Sequence, residues 1–293
     1  MLIAILGCQL LFSGAASART CVADQLRKSV SRAESVSSGF GIMIRDGKVI
    51  GRNGDPVVAA FDLDETLVRS IRTTEGARAL RRIPGRHVVS INANGAKAHY
   101  EVFPGMLDLI QDLQARGIRV TIYSAGDPQR NQALLKAIRL PKTNETLFSH
   151  LKGRLVPRSE IRYNLDPLDS RPDILKPLRS LGHEAAGMNG PALERAWRAH
   201  ADLHNAFIMD DLKGTSIHQI WIPSPSVGGP PYEWAQRREY VLGLFSEAVD
   251  LAVRNPGMSL GSALKRVQNV NLLDPSQWAA NPLIQRGRSV LGR

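Results

Sequence analysis

Short apolar runs alternate with helical segments between residues 57 and 222, and this alternation restricts the fold more than any other feature of the sequence. Four of the runs have the length of buried strands: residues 57–61, 118–123, 206–209 and 219–222. Helices are predicted to begin after Gly105 and at Asp127, where an N-cap residue precedes a proline. Strands that alternate with helices are typical of parallel sheets. We therefore predict an α/β fold with a Rossmann-like, three-layer parallel sheet.

The rest of the sequence divides into segments of different character. We assign residues 1–18 to a signal peptide, 19–56 to a lead-in helix and hairpin, 57–225 to the α/β domain, and 226–293 to a C-terminal helical extension with helices over 234–253 and 260–267. The pattern is weak over the last twenty residues, to which no structure is assigned. A second hairpin is predicted over residues 86–103. Between Thr66 and Ser124 we expect only this hairpin and one helix, so the site should be capless or carry a small hairpin flap.

The first 18 residues carry no charged side chain and contain an apolar stretch. The small residues Ala16, Ser17 and Ala18 follow this stretch at the spacing that a signal peptidase recognises. The stretch is shorter than the roughly 20 apolar residues that span a bilayer. We therefore expect cleavage before Arg19, export to the periplasm or the cell exterior, and no stable membrane span. The alternative is an uncleaved hydrophobic tail, because no Lys or Arg precedes the apolar stretch.

The net charge of +11, from 38 Lys and Arg against 27 Asp and Glu, favours anionic partners. The basic residues are scattered along the chain, and no basic stretch is interleaved with aromatic residues. We therefore expect a phosphorylated substrate as the partner and regard nucleic-acid binding as the weaker hypothesis.

Polar side chains directly follow three of the predicted strands. Asp62 follows the first strand, Ser124 follows the second, and Asp210 and Asp211 follow the third. Ligands of open parallel sheets bind just beyond the carboxyl ends of the strands. We therefore expect these side chains, which are far apart in the chain, to converge on one site.

Asp62 and Asp64 lie two residues apart and can divide the work of phosphoryl transfer. One carboxylate attacks phosphorus and becomes an acyl phosphate. The other donates a proton to the leaving group and then takes one from water. Asp210 and Asp211 add negative charge, so the cluster requires a cation, and oxygen ligands suit Mg²⁺. The Ser124 hydroxyl and nearby backbone N–H groups can hold phosphoryl oxygens, helped by the N-terminus of the following helix.

These residues stand in motifs that resemble those of the haloacid dehalogenase superfamily of phosphohydrolases. Residues 62–68 (DLDETLV) resemble its first motif, residues 122–126 (IYSAG) its second, residues 176–182 (KPLRSLG) its lysine segment, and residues 207–211 (FIMDD) its fourth motif. The residues of these motifs are most similar to those of the small C-terminal-domain-phosphatase branch, which also includes a mitochondrial import receptor subunit. The resemblance covers roughly the predicted α/β domain.

The resemblance implies a role for each matching position. The nucleophile would be Asp62 and the general acid/base Asp64. Phosphate binding and loop orientation would involve Thr66, Ser124, Ala125 and Lys176. The Mg²⁺ site would be formed by Asp62, Asp64, Asp210 and Asp211. For the second aspartate, the family's metal ligand is the main-chain carbonyl. Lys176 would also stabilise the nucleophile. The interval from Lys176 to Asp210 is longer than the branch leads us to expect, and Lys152 is the rival for this position.

Three functions remain open on sequence alone. The first is a Mg²⁺-dependent phosphomonoester hydrolase that acts through an aspartyl-phosphate intermediate on a phosphoprotein or a small organic phosphate. The second is a catalytically weak or inactive binding module with the same fold, which the intact Asp62 and Asp64 argue against. The third is the nucleic-acid binder, prompted only by the net charge.

Overall fold

The computed structural model describes residues 41–52, 54, 56–93, 95–152, 155–156, 158, 162–163, 174–175, 205–212, 218–224, 231–270 and 280–292. These residues all belong to one compact unit, Phe40–Arg293. The predicted signal peptide, the lead-in helix and Lys176 lie outside the described residues.

The described elements follow one another in a mixed order of strands and helices. The strands are β1 (Ile42–Arg45), β2 (Lys48–Gly51), β3 (Val58–Phe61), β4 (Val68–Ile71), β5 (His87–Ala93), β6 (Ala96–Val102), β7 (Arg119–Ile122), β8 (Arg162–Tyr163), β9 (Ile174–Leu175), β10 (Ala206–Asp210) and β11 (Gln219–Trp221). The helices are α1 (Thr74–Arg81), α2 (Met106–Ala115), α3 (Pro128–Ala137), α4 (Leu147–His150), α5 (Pro231–Arg254), α6 (Leu260–Val270) and α7 (Pro282–Val290).

A four-stranded parallel sheet in the order β11-β10-β3-β7 forms the centre of the fold. Successive residues of β3 point to opposite faces: Ala59 and Phe61 join one hydrophobic core, and Val58 and Ala60 join another. All four of these side chains are fully buried. A parallel strand that is buried on both faces is a continuous apolar run rather than an alternating pattern. The structure therefore confirms the predicted α/β fold.

A second sheet, in the order β4-β6-β5, stands between β3 and β7 in the chain. The predicted hairpin is its β5-β6 pair, with Ala93 opposite Ala96. The expectation of only a hairpin and a helix in this interval is wrong, because β4 pairs with β6 and α1 connects β4 to β5. Strand β4 has only four residues and includes Arg69 and Ser70, and α1 buries only Ala77. Both elements are short, and α1 has Leu80 as its single large apolar residue, so neither contains the run of apolar residues from which a strand or a helix is predicted.

The C-terminal helices pack onto the large core rather than away from it. Buried side chains of α5, among them Tyr240 and Leu244, belong to the same hydrophobic core as β3. Helix α7 was not predicted, although Asn281 caps it and Pro282 occupies its first turn. Helices α5 and α7 approach so closely that a Cβ on Gly243 would collide with the Leu283 carbonyl. In the described part of the chain, no helix is both long enough and apolar enough to cross a membrane.

Candidate active site

Three carboxylates meet beyond the ends of β3 and β10. Each of Asp62, Asp210 and Asp211 offers an oxygen, and these oxygens all lie within 4.8 Å of one another. The register explains the meeting, because Phe61 pairs with Met209 and the Asp62 N–H donates to the Met209 carbonyl at 2.9 Å. Asp62 and Asp210 are both buried. The structure thus brings Asp62 together with Asp210 and Asp211, which the sequence places far from it.

Hydrogen bonds hold Asp210 and Asp211 in place. The Leu212 N–H donates to Oδ1 of Asp210 at 2.9 Å, and Nε1 of Trp221 donates to the Asp211 carbonyl at 2.8 Å. The Thr66 hydroxyl donates to Oδ1 of Asp211 at 3.5 Å. The fully buried Thr66 therefore connects the loop after β3 to the end of β10.

The carboxylate of Asp64 lies in a different environment from that of Asp62. Nη1 and Nη2 of Arg130 donate to its two oxygens at 2.8 and 2.5 Å. Among the described residues, the carboxylate cluster consists of Asp62, Asp210 and Asp211 and does not include Asp64. The predicted Mg²⁺ set placed Asp64 beside these three, whereas the structure directs its side chain to Arg130.

Arg130 belongs to the first turn of α3, which the Asp127 side chain caps. Its guanidinium passes over Gly126, where a Cβ would collide with Nη2, and lies 5.7 Å from the centre of the Tyr100 ring. Burial acts to lower the pKa of Arg130, but hydrogen bonds to Asp64 and the charges of Asp64, Tyr100 and Asp62 outweigh it, so the pKa is raised. The sequence analysis missed this residue. Its available signal was its position in the first turn of the helix that Asp127 caps, shortly after Ser124.

Ser124 lies at the same edge of the sheet as Asp62. Phe61 pairs with Ile122, and the Tyr123 N–H donates to the Phe61 carbonyl at 2.8 Å. The Ser124 side chain is buried and accepts a hydrogen bond from the Gly126 N–H at 3.2 Å. Ala125 stands between them, half-buried, at the entry to α3. Ser124 and Ala125 therefore follow β7 at the end of the sheet where Asp62 follows β3, and their role in phosphate binding stays a prediction.

The loop after β3 is a tight turn stabilised by its own backbone. The N–H groups of Leu67 and Val68 both donate to the Leu63 carbonyl at 2.9 Å. Glu65 has a left-handed backbone, with φ 56°, which is unusual for a residue with a side chain. Its carboxylate accepts hydrogen bonds from Nε of Arg69 at 3.0 Å and from the Ser224 hydroxyl at 2.5 Å. The turn is therefore held by contacts on both sides.

The structure does not decide between the two predicted lysines. Lys176 lies outside the described residues. Lys152 is exposed and ends the turn after α4, with φ 54° and its N–H donating to the Ser149 carbonyl at 2.8 Å. The choice between the two lysines stays a prediction.

No protein-family model matches the chain, and no curated protein matches it significantly. Among solved structures, the chain is similar to the fission yeast RNA polymerase II CTD phosphatase Fcp1, in a single-residue variant bound to beryllium fluoride. The identity is 13%, over 84% of this chain and 66% of that chain, with a TM-score of 0.39. A second structure of Fcp1, described as an essential RNA polymerase II CTD phosphatase, gives 14% identity, 85% and 57% coverage, and a TM-score of 0.36.

This chain thus spans less than two thirds of the length of these two chains. At this level of identity and overlap, we derive the function from the geometry of the site itself.

Proposed function

We propose that the chain is a Mg²⁺-dependent phosphomonoester hydrolase in which Asp62 is the nucleophile. The observation that carries this proposal is the cluster of Asp62, Asp210 and Asp211 beyond two parallel strands, with Asp64 held apart from it by Arg130. Two neighbouring carboxylates in different environments suit two different roles in one reaction.

The donor set fits Mg²⁺. Its side chains offer only carboxylate oxygens, which are the hard ligands that Mg²⁺ prefers, and they lie close enough together to share one ion. Asp62, Asp210 and Asp211 would hold the ion, and Asp64 would contribute its main-chain carbonyl, as the family resemblance implies. When bound, Mg²⁺ neutralises phosphoryl oxygens and the excess negative charge of the cluster.

The proposed reaction proceeds in two displacements. A carboxylate oxygen of Asp62 attacks phosphorus, the bond from phosphorus to the ester oxygen breaks, and Asp64 donates a proton to the departing alcohol. An aspartyl phosphate at Asp62 results. The Asp64 carboxylate then takes a proton from a water molecule that attacks the same phosphorus, which releases inorganic phosphate and restores Asp62. The Ser124 hydroxyl and the Ala125 N–H would bind phosphoryl oxygens during both displacements.

Arg130 supplies a positive charge beside this reaction. In the structure it donates a hydrogen bond to each oxygen of Asp64, which fixes the orientation of that carboxylate. One of these hydrogen bonds must open before Asp64 can donate a proton to a leaving group. Arg130 also interacts electrostatically with Asp62, so in the proposed reaction it would add a positive charge near the phosphoryl group, in addition to the motif lysine.

The substrate class that we propose is a phosphoprotein or a small organic phosphate. A panel of phosphopeptides and small phosphate esters, assayed with Mg²⁺, tests the proposal, with Asp62→Asn as the matched control. We expect turnover by the wild-type protein, loss of activity on chelation with EDTA, and no turnover by Asp62→Asn. Turnover that survives exhaustive chelation, or that is equal in the two proteins, would contradict the proposal.

A second candidate is a binding module that keeps the fold without turnover. The pairing of Asp64 with Arg130 favours it, because both oxygens of the proposed general acid are already hydrogen-bonded. This candidate predicts that phosphorylated ligands bind equally to the wild-type protein and to Asp64→Asn, and that neither protein releases phosphate.

A further inference from the structure

A buried arginine of helix α5 lies behind the loop that carries Asp62. Arg237 is only 2% exposed and is the largest fully buried side chain of the described residues. It comes from the C-terminal helices, which lie outside the part of the sequence that resembles phosphatase motifs. A positive charge in such a position requires a physical explanation, because burying a charge is costly unless it is paired.

The hydrogen bonds of Arg237 are few and long. Its Nη2 donates to the Glu65 carbonyl at 3.4 Å and to the Ile222 carbonyl at 3.5 Å. Nε and Nη1 have no hydrogen-bond partner among the described residues. The guanidinium carbon lies 5.1 Å from the centre of the Phe103 ring. These contacts leave part of the hydrogen-bonding capacity of the guanidinium group unused. Packing alone therefore does not explain why an arginine is buried here.

Carboxylates at the site compensate in part for the burial of Arg237. Burial lowers the pKa of Arg237 to about 9, Arg69 acts in the same direction, and the charges of Asp211 and Glu65 act to raise it. The strongest opposing influence comes from Asp211, which belongs to the carboxylate cluster. Arg237 and Asp211 are therefore linked electrostatically.

We propose that Arg237 is a positioning residue of the site, a buried positive charge that helix α5 places against the Glu65 carbonyl, in the loop that follows Asp62. The inference rests on the proposed phosphatase function. Arg237 holds the left-handed turn at Glu65 through the carbonyl, and it offsets the negative charge of the cluster. The site can then accept a phosphoryl dianion beside three carboxylates.

This role predicts opposite effects on cations and anions. Loss of the positive charge makes the cluster more negative, so Mg²⁺ binds more tightly and phosphate binds more weakly. Loss of packing alone would loosen the turn and weaken the binding of both ions. The direction of the change in Mg²⁺ affinity therefore distinguishes a charge role from a packing role.

The test uses the full chain with two substitutions at Arg237 and one at its neighbour. Arg237→Gln removes the charge and keeps a donor for the Glu65 carbonyl, whereas Arg237→Lys keeps the charge. Arg238→Gln is the matched control, because Arg238 pairs with Asp108 and Asp112 of α2 rather than with the site. Calorimetry measures the binding of Mg²⁺, and then of inorganic phosphate to the Mg²⁺-saturated protein.

For Arg237→Gln we expect Mg²⁺ binding at least about threefold tighter and phosphate binding at least about tenfold weaker. The reason is that solvent screens a buried charge only weakly, so its loss changes the binding of nearby ions. Arg237→Lys and Arg238→Gln should stay within about twofold of the wild-type affinities. Unchanged or weaker Mg²⁺ binding by Arg237→Gln would overturn the proposal. If Arg237→Gln does not fold, Arg237→Lys serves as the test. A change in the ratio of its Mg²⁺ affinity to its phosphate affinity, relative to the wild-type protein, then overturns the proposal.

The phosphatase proposal fails separately. A wild-type protein that binds Mg²⁺ and phosphate but turns over no ester contradicts the hydrolase, while the same titrations still report on Arg237.

Discussion

At the scale of single residues, the structure separates two carboxylates that the sequence presents as a pair. Asp62 is buried in the carboxylate cluster, and Asp64 is half-buried against Arg130. Nothing in the sequence around residues 62–68 indicates that Arg130 is their neighbour, because α3 brings it there from a distant part of the chain. The different surroundings support a nucleophile at one position and a proton donor at the other.

Replacing Arg130 should damage general acid catalysis more than metal binding. Without its partner, Asp64 loses the contact that holds its carboxylate, so we expect Arg130→Gln to lower kcat about tenfold to hundredfold on an alkyl phosphate. The loss should be smaller on p-nitrophenyl phosphate, whose leaving group needs little protonation. Steady-state kinetics on both esters measure the effect.

Lys136→Gln is the control for Arg130→Gln. Lys136 belongs to the last turn of the same helix and lies 5.1 Å from the Phe148 ring. It should retain the wild-type kinetics. An equal loss on the two esters for Arg130→Gln would show that Arg130 does not act through Asp64.

At the scale of elements, the sheet β4-β6-β5 lies in the chain between β3, which precedes Asp62, and β7, which precedes Ser124. Two basic residues beside its hairpin, Arg81 and Arg86, are paired within the fold. Arg86 forms a buried ion pair with Glu101 at 2.6 Å, and Nη2 of Arg81 donates to the Ser90 hydroxyl at 2.6 Å. Lys97 remains exposed near the tip of the hairpin.

Exchanging the charge at the hairpin tip should change substrate choice and leave the chemistry intact. We expect Lys97→Glu to lower kcat/KM for an acidic phosphopeptide about threefold to tenfold, because it reverses an exposed charge that is screened by solvent. The value for p-nitrophenyl phosphate should stay within about twofold. The comparison uses Lys48→Glu as a control.

Lys48 is an exposed lysine of the β1-β2 hairpin. It lies against Gly117, just before β7 begins. Lys48 is therefore near the amino-terminal ends of the parallel strands, whereas Asp62 follows the carboxyl end of β3. The same loss of phosphopeptide activity in Lys48→Glu would mean that net charge, not the hairpin, governs the preference.

At the scale of the whole molecule, the C-terminal helices complete the core of the α/β fold. Glycines set the closest helix approach: a Cβ on Gly243 would meet the Leu283 carbonyl, and one on Gly287 would meet the Glu239 carbonyl. Backbone atoms cannot rotate away as a flexible side chain can, so an added methyl group must separate α5 from α7.

Gly243→Ala should therefore destabilise the protein by about 1–3 kcal/mol, as overpacking of a tight interface does. Urea unfolding of the full chain measures the change. Gly257→Ala is the control, because no atom lies within 4 Å of a Cβ built at Gly257. A Gly243→Ala protein as stable as the control would show that the two helices adjust without cost.

The sequence predicted the parts of the fold that follow from local patterns. The apolar runs at β3, β7, β10 and β11 have the length and composition of buried strands, and each was confirmed. Strand β4 and α1 were missed because short polar elements are stabilised by pairing and packing partners that are distant in the chain, whereas α7 was missed although Asn281 and Pro282 are a local signal for its start. The same reason explains Arg130 and Arg237, whose importance depends on which residues the fold brings next to them.

The central claim is that Asp62 attacks phosphorus, and trapping the phosphorylated protein tests it most directly. Substrate and Mg²⁺ are mixed with the protein and quenched in acid on a time scale shorter than one turnover, and the phosphorylated residue is located by mass spectrometry. The account predicts one added phosphoryl group on Asp62, lost on hydroxylamine treatment and absent in Asp62→Asn. A label on another residue, or turnover by Asp62→Asn at a rate near that of the wild-type protein, would contradict it.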